Sequence, residues 1–105
     1  MPSREPLVSV CIPTYNRAGL LRESIASVLA QTFGDFELII SDNASEDATE
    51  SVVRSFGDDR IKYPRNAKNL GHRENMNCCL MLSKGRYITQ LSTSFSCDPN
   101  FAEEA

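Results

Sequence analysis

The sequence lacks the features that mark several common functional classes. Its 105 residues include no tryptophan and one histidine, and the formal net charge is −3. It therefore has no basic stripe to follow a phosphate backbone, and no apolar run approaches the roughly 20 residues that cross a bilayer. We expect no nucleic-acid partner and no transmembrane segment.

The beginning of the chain has little resemblance to a secretion signal. Residues 1–10, MPSREPLVSV, contain no basic region followed by an apolar segment and a small-residue cleavage site. The predicted location is therefore the cytoplasm.

The four cysteines lack the spacing of a metal site. Cys11, Cys78, Cys79 and Cys97 form no C-x-x-C pattern, and two adjacent cysteines face different sides of a helix. Cys97 could act as a nucleophile only with a base to form its thiolate, and His72 is the sole histidine. We interpret the cysteines as reduced packing residues.

Glycine-rich phosphate loops are also missing. Neither G-x-G-x-x-G nor G-x-x-x-x-G-K-[ST] occurs in the sequence. Any diphosphate must therefore be bound by another arrangement.

Four short apolar segments have the character of strands. Segments 7–12 and 36–41 are almost continuously apolar, as expected for strands covered on both faces, and the first is predicted to end at Pro13. Segments 60–64 and 87–91 are predicted as the third and fourth strands. Because a proline cannot donate to a ladder, the one that ends segment 60–64 places the third strand at a sheet edge.

Helical periodicity occurs between these strands. A helix is predicted over 18–30, with Asn16 as its N-cap, and a second follows Ser45 as its cap. A third runs to about Ser83 and ends before a glycine, and a last one begins at 98–99.

The alternation of strands and helices defines the expected fold. It predicts an α/β protein, a Rossmann-like three-layer α/β/α arrangement with a mostly parallel sheet in the order 3-2-1-4. The length suits a single domain over 1–105. Strand 4 would then be an open apolar edge, so we expect a homo-oligomer formed through that edge.

A ligand site is expected where this sheet reverses its winding, outside the carboxyl ends of strands 1 and 4. The residues predicted there are 13–16, Asp42, Asn43 and 92–94. Asp42 offers an acceptor for an imide N–H, and Tyr15 offers a flat face with a polar tip, which together suit a nucleobase. The alternatives are a turn or capping role for Asp42 and a packing role for Tyr15.

Four short sequence motifs occur together in this chain. They are "IPTYNR", "SVLAQTF", "ISDNASED" and "NLG…N". Over about residues 7–101 the chain resembles the start of a family 2 glycosyltransferase domain, which has the nucleotide-sugar-binding GT-A fold. The resemblance implies a truncated GT-A fold, the donor-nucleotide-binding half of such a domain.

The resemblance also implies a donor site, in which Thr14 and Tyr15 contact the base and Asp42 accepts its imide N–H. A loop that contains Asn69, Gly71 and Arg73 would lie along the nucleotide. The nucleotide-binding set expected from the resemblance is Thr14, Tyr15, Asn16, Asp42, Asn43, Asn69, Gly71 and Arg73. An alternative for Arg73 is a solvated cation at a helix start. Arg65 and Lys68 are equally able to attract phosphate.

The family's metal motif is missing from this sequence. Family members hold Mg²⁺ or Mn²⁺ on the diphosphate of a donor, here expected to be UDP-type, with an acidic Asp-x-Asp-type motif after the fourth strand. This chain has Thr93, Ser94 and Phe95 at the matching positions. Hydroxyl groups are poor ligands for hard cations, so we predict no metal site and no catalytic residue in this chain.

Two functions follow from these departures. The chain is expected to be a partial or inactive glycosyltransferase, lacking the acidic metal motif and the acceptor half with its base, that binds a nucleotide or nucleotide sugar weakly. The alternative is a non-catalytic nucleotide-binding or protein-interaction module.

Overall fold

Strands and helices alternate along the whole of the computed structural model, which describes residues 6–32 and 34–91. The elements in chain order are β1 (Val8–Thr14), α1 (Ala18–Leu29), β2 (Phe36–Asp42), α2 (Thr49–Ser55), β3 (Ile61–Lys62), α3 (His72–Leu82) and β4 (Tyr87–Gln90). The predicted alternation is therefore confirmed. The predicted helix start at 98–99 and the positions 92–97 lie outside the described residues.

The four strands form one parallel sheet in the order β3-β2-β1-β4. This confirms the predicted order, with β3 at one edge. β3 is shorter than predicted, because the regular ladder with β2 ends at Ile39↔Lys62. Pro64 has no N–H to donate, although its carbonyl still accepts the backbone N–H of Asp42 at 2.9 Å.

β1 continues through Pro13 to Thr14, so the predicted end at Pro13 is wrong. The carbonyl of Thr14 accepts the N–H of Asn43 from the β2 side, and that of Cys11 accepts an N–H from the β4 side. Because successive peptide groups alternate in direction, the missing N–H of Pro13 falls on the β4 side, beyond the last described pair at Cys11↔Gln90. The ladder with β2 therefore loses no hydrogen bond.

Hydrophobic clusters of different size cover the two faces of the sheet. One face carries the larger core, which joins the strands to α1 and α2 through Leu21, Ile25 and Val53. On the other face α3 packs over a small cluster of Cys11, Ile39, Met76 and Cys79. The three layers are those expected from the sequence. Cys11, Cys78 and Cys79 are free thiols.

The helix starts differ from the prediction. Arg17 and Ala48 occupy the N-cap positions of α1 and α2, and neither makes a side-chain cap. Asp47 instead accepts the N–H groups of both Ala18, at 3.1 Å, and Thr49, at 3.0 Å. One carboxylate therefore serves two helix starts, which leaves Asn16 and Ser45 to other partners.

The β4 edge has an apolar surface beside α3. Met81 is 87% exposed, Tyr87 54% and Ile88 49%. Self-association through this edge stays a prediction. Within the described residues, no helix is long and apolar enough to cross a membrane.

Gly85 lies at a close approach between the α3–β4 connection and β1. A Cβ at this position would be 2.6 Å from Ser9 N and 2.8 Å from Val8 C, closer than van der Waals contact allows. We expect Gly85→Ala to lower the free energy of unfolding by about 1–3 kcal/mol through overpacking, as measured by chemical denaturation. Gly19→Ala is the matched control, since Gly19 lies in α1 with open space around it. This substitution should leave the free energy of unfolding unchanged or raise it by up to about 1 kcal/mol. Equal stability of both variants would contradict the close approach.

Candidate functional site

The predicted ligand site lies at the carboxyl end of β1 and β2. Thr14 and Asp42 are the last residues of these strands and are register partners. Arg65 forms an isolated parallel bridge with Asp42 on the other side of β2. The sheet thus brings an acid, a hydroxyl and a cation to one end of its strands, on the β2 side of the reversal in winding between β1 and β4, where α/β folds bind ligands.

Asp42 is fully buried and connects three parts of the chain. Its Oδ1 accepts the backbone N–H of Ser45 at 2.9 Å, and its Oδ2 accepts the Tyr63 hydroxyl. The Arg65 Nε lies 3.7 Å from Oδ2. The turn role considered for Asp42 is therefore present, and its carboxylate also has a hydroxyl donor and a cation at hand.

Tyr63 was missed by the sequence analysis, although it is a direct partner of Asp42. Burial raises the pKa of the Tyr63 hydroxyl, and the hydrogen bond to the Asp42 carboxylate raises it further. The phenol therefore remains protonated and keeps donating to Asp42. The only sequence signal was the position of Tyr63 at the end of a predicted strand.

Asn43 anchors the loop before α3. Its Nδ2 donates to Asn69 Oδ1 at 2.8 Å and to the Gly71 carbonyl at 3.3 Å, while its Oδ1 accepts Leu70 N–H at 2.8 Å. Gly71 has a φ of 89°, in the region that favours glycine. The structure thus brings together Asn43, Asn69 and Gly71, while the position of this loop along a nucleotide stays a prediction.

Asn66 and Asn75 complete this amide network and were not identified as site residues. Asn75 Nδ2 donates to the Ser41 carbonyl at 2.9 Å, and its Oδ1 accepts the Ser41 hydroxyl at 2.7 Å. Asn66 Nδ2 bridges Asn43 Oδ1 and Asn75 Oδ1 at 3.0 Å each. Asn75 is the last letter of the "NLG…N" string, which was a signal for this role. The network fixes the start of α3 against β2.

The β1–α1 connection carries the other predicted residues. The Thr14 hydroxyl is buried and has no hydrogen-bond partner among the described residues, whereas Tyr15 is 42% exposed. Asn16 has a φ of 49° and exchanges hydrogen bonds with the loop after β2, accepting from Glu46 N at 2.7 Å and donating its N–H to Ser45 Oγ at 2.8 Å. The two loops at the strand ends therefore hold each other in place.

Cations lie at the rim of this end of the sheet. Arg65, Lys68 and Arg73 are exposed, and Arg73 lies in the first turn of α3. No hydrogen bond in the described chain joins Arg73 to the other predicted site residues, so its placement in the site remains a prediction. His72, for which the sequence predicts a loop position, is exposed and is instead the first residue of α3.

The described residues do not fit a divalent cation. Within residues 6–32 and 34–91, no three His, Cys, Asp or Glu side chains are grouped to hold a metal ion. Asp42 already accepts from Ser45 and Tyr63, and Mg²⁺ and Mn²⁺ prefer several free oxygen ligands. Thr93, Ser94 and Phe95 lie outside the described residues, so the loss of the metal site stays a prediction.

The fold is a parallel α/β sheet with polar side chains at the carboxyl ends of β1 and β2. The model of the family described as Glycosyl transferase family 2 matches residues 9–104. The chain belongs to this family.

Known relatives agree in sequence and in fold. A glycosyltransferase of Rickettsia prowazekii, RP339, is 41% identical over 93% of this chain and 30% of its own length. S. aureus TarS 1-349 in complex with UDP-GlcNAc superposes with a TM-score of 0.88 at 23% identity, over 92% of this chain and 29% of that one. The mannosyltransferase PcManGT from Pyrobaculum calidifontis, in complex with GDP-Man and Mn2+, gives 0.78 at 24% identity, over 88% and 28%. The chain therefore has a GT-A-type fold and spans about 30% of the length of such relatives.

Proposed function

We propose that this chain is the donor-binding part of a family 2 glycosyltransferase, which transfers a sugar from a UDP-type nucleotide to a hydroxyl acceptor. The observation that supports this most directly is Asp42 at the carboxyl end of β2, in register with Thr14 at the end of β1, the strand at which the sheet reverses its winding. TarS, which shares the fold, binds UDP and UDP-GlcNAc. In this proposal residues 1–105 form a single donor-binding unit.

Five of the predicted residues have distinct roles in this proposed site. Asp42 accepts the imide N–H of the base, and the exposed ring of Tyr15 stacks beside it. The buried Thr14 hydroxyl, which has no partner within the described chain, is available to the nucleoside. The loop anchored by Asn43 runs along the nucleotide and presents Arg73 to the diphosphate.

Transfer requires groups that we assign to the rest of such an enzyme. In a complete transferase, a carboxylate base deprotonates the acceptor hydroxyl while the leaving diphosphate is stabilised electrostatically. The chain spans 30% of the length of RP339, and among its described residues no three His, Cys, Asp or Glu side chains are grouped to hold a metal ion. We propose that this chain binds the donor and does not transfer the sugar by itself.

A non-catalytic nucleotide-binding module is the second candidate. It is favoured by the sequence Thr93-Ser94-Phe95, which offers no carboxylate where the family holds its metal ion. The two candidates differ in whether added metal ligands restore metal-dependent donor binding.

Metal dependence provides the test. We expect Mn²⁺ to change the UDP affinity of the unaltered chain less than about twofold, because hydroxyls do not hold the ion against a diphosphate. The double variant Thr93→Asp/Ser94→Asp should bind UDP about tenfold more tightly with Mn²⁺ than without it, as measured by calorimetric titration. Neither protein should release UDP from UDP-sugars in the presence of hydroxyl acceptors.

Three outcomes separate the candidates. Tighter UDP binding with Mn²⁺ in the unaltered chain would show that the metal site is intact. Mn²⁺ enhancement in the double variant alone supports a donor site of transferase origin, whereas UDP binding without enhancement in either protein supports the nucleotide-binding module. Sugar transfer by the unaltered chain would overturn the donor-binding assignment.

A further inference from the structure

Arg65 is the most loosely attached partner of Asp42. Its Nε lies 3.7 Å from Asp42 Oδ2, its Nη2 donates to the Ser45 carbonyl at 2.7 Å, and its side chain is 45% exposed. Tyr63, in contrast, donates directly to the same oxygen from a half-buried position. A fully buried acid therefore has two firmly bound donors, Ser45 N–H and the Tyr63 hydroxyl, and one cation at the protein surface.

We propose that Arg65 determines the base specificity of the site, selecting uracil over guanine and cytosine by donating to a carbonyl beside the imide that Asp42 reads. This inference rests on the proposed nucleotide-binding function and adds a residue to it. The sequence alone identifies Arg65 only as one of several cations able to attract phosphate.

The chemistry of the base edges explains the selection. Uracil carries its imide N–H between two carbonyls, so a cation on either side of Asp42 meets an acceptor. Guanine has a carbonyl on one side of its ring N–H and an amino group on the other, and this second donor would face the cation. Cytosine has no N–H at this ring position to offer Asp42. An arginine beside a carboxylate therefore combines an attraction for uracil with a repulsion against its competitors.

The existing contacts of Asp42 allow the imide N–H of a base to replace Arg65 beside the carboxylate. Each carboxylate oxygen can accept two hydrogen bonds, and Asp42 receives one at Oδ1 from Ser45 and one at Oδ2 from Tyr63. Because Asp42 is fully buried, a base reaches it only when the side chains that cover it move. Arg65 can turn from Asp42 toward the carbonyl of the base while the imide N–H takes its place. Tyr63 keeps the carboxylate oriented throughout.

The test compares nucleoside diphosphates that differ only in the base. We expect the unaltered chain to bind UDP more tightly than GDP, and GDP more tightly than CDP, in calorimetric titrations. Arg65→Met removes the donors but keeps an unbranched side chain, and should weaken UDP binding about tenfold while GDP binding, relieved of an unfavourable donor contact, should be no weaker. The ratio of UDP to GDP affinity should therefore fall about tenfold. Arg65→Lys, which keeps the charge, should retain part of the preference.

Lys68→Met is the matched control, because it removes an exposed cation of the same loop. It should weaken UDP and GDP equally, since both ligands carry the same diphosphate. If Arg65→Met, shown to be folded by circular dichroism, also weakens both equally, Arg65 is a phosphate-attracting cation and the inference is wrong while the proposed function stands. A preference of the unaltered chain for GDP would also overturn it, and absence of any nucleotide binding would overturn both.

Discussion

Replacing Asp42 by alanine is expected to weaken UDP binding about tenfold to a hundredfold. The base would lose a hydrogen bond to a charged acceptor, which contributes roughly 1.5–3 kcal/mol. The same substitution also removes the acceptor of the Ser45 N–H and of the Tyr63 hydroxyl. Calorimetric titration must therefore be combined with a denaturation curve, so that the affinity is compared for folded protein.

Asp42→Asn separates base recognition from folding. Asparagine keeps an oxygen for the Ser45 N–H. The NH2 group that replaces Oδ2 is a donor, however, and cannot accept the imide N–H of the base. UDP affinity should fall nearly as far as in the alanine variant, with a smaller loss of stability. Asp59→Asn is the control: Asp59 is exposed and precedes β3, at the opposite end of the sheet, and its loss removes the same charge. An unchanged UDP affinity in both Asp42 variants would remove Asp42 from the site.

The general position of the site could be predicted because it follows from the order of the elements. The alternation of buried strands with helices indicated a parallel sheet, and a parallel sheet places the carboxyl ends of its strands at one edge. The pairing of Thr14 with Asp42 and the Asn43 contacts follow from that placement. Hydrophobic pattern and topology together were sufficient for this part.

The partners of these residues could not be predicted in the same way. Tyr63 contacts Asp42 across 21 residues, and Asn75 contacts Ser41 across 34. Such contacts depend on the distance between packed elements, which local periodicity does not encode. The caps show the same limit, because local propensity favoured Asn16 and Ser45 whereas one acid, Asp47, serves both helices across the fold.

Glu37 is a second buried acid, placed far from the proposed ligand site. It lies near the start of β2 on the α3 face, where its Oε2 accepts the Ser9 hydroxyl at 2.5 Å and the Lys84 N–H at 2.6 Å. Lys62 Nζ donates to its Oε1 at 2.5 Å. Burial by itself raises the pKa of Glu37, but the hydrogen bonds from Lys62, Ser9 and Lys84 outweigh it and lower the pKa below the ordinary 4.5. The ionised acid therefore joins three strands and the α3–β4 connection.

Glu37→Leu is expected to destabilise the fold by about 2–4 kcal/mol, because the Ser9 hydroxyl and the Lys84 N–H lose their acceptor, whereas Lys62 is 45% exposed and can be hydrated. Glu37→Gln should cost less, since the amide oxygen can still accept one of these hydrogen bonds. UDP affinity should be unchanged in folded Glu37→Gln, because the acid lies at the end of the sheet opposite Asp42. Chemical denaturation and titration of the same samples would measure both effects.

The acid dependence of stability provides the sharper test of Glu37. A carboxyl whose folded pKa is below its unfolded value stabilises the fold above the unfolded pKa, and this contribution is lost as the pH falls through the folded pKa. The unaltered chain should therefore lose stability below about pH 4.5, and Glu37→Gln should lose less over the same range. Glu50→Gln is the control, since Glu50 forms an exposed pair with Arg54 within α2 and should change stability by about 0.5 kcal/mol or less. If Glu37→Gln follows the same acid curve as the unaltered chain, the network around Glu37 does not account for the acid sensitivity of the fold.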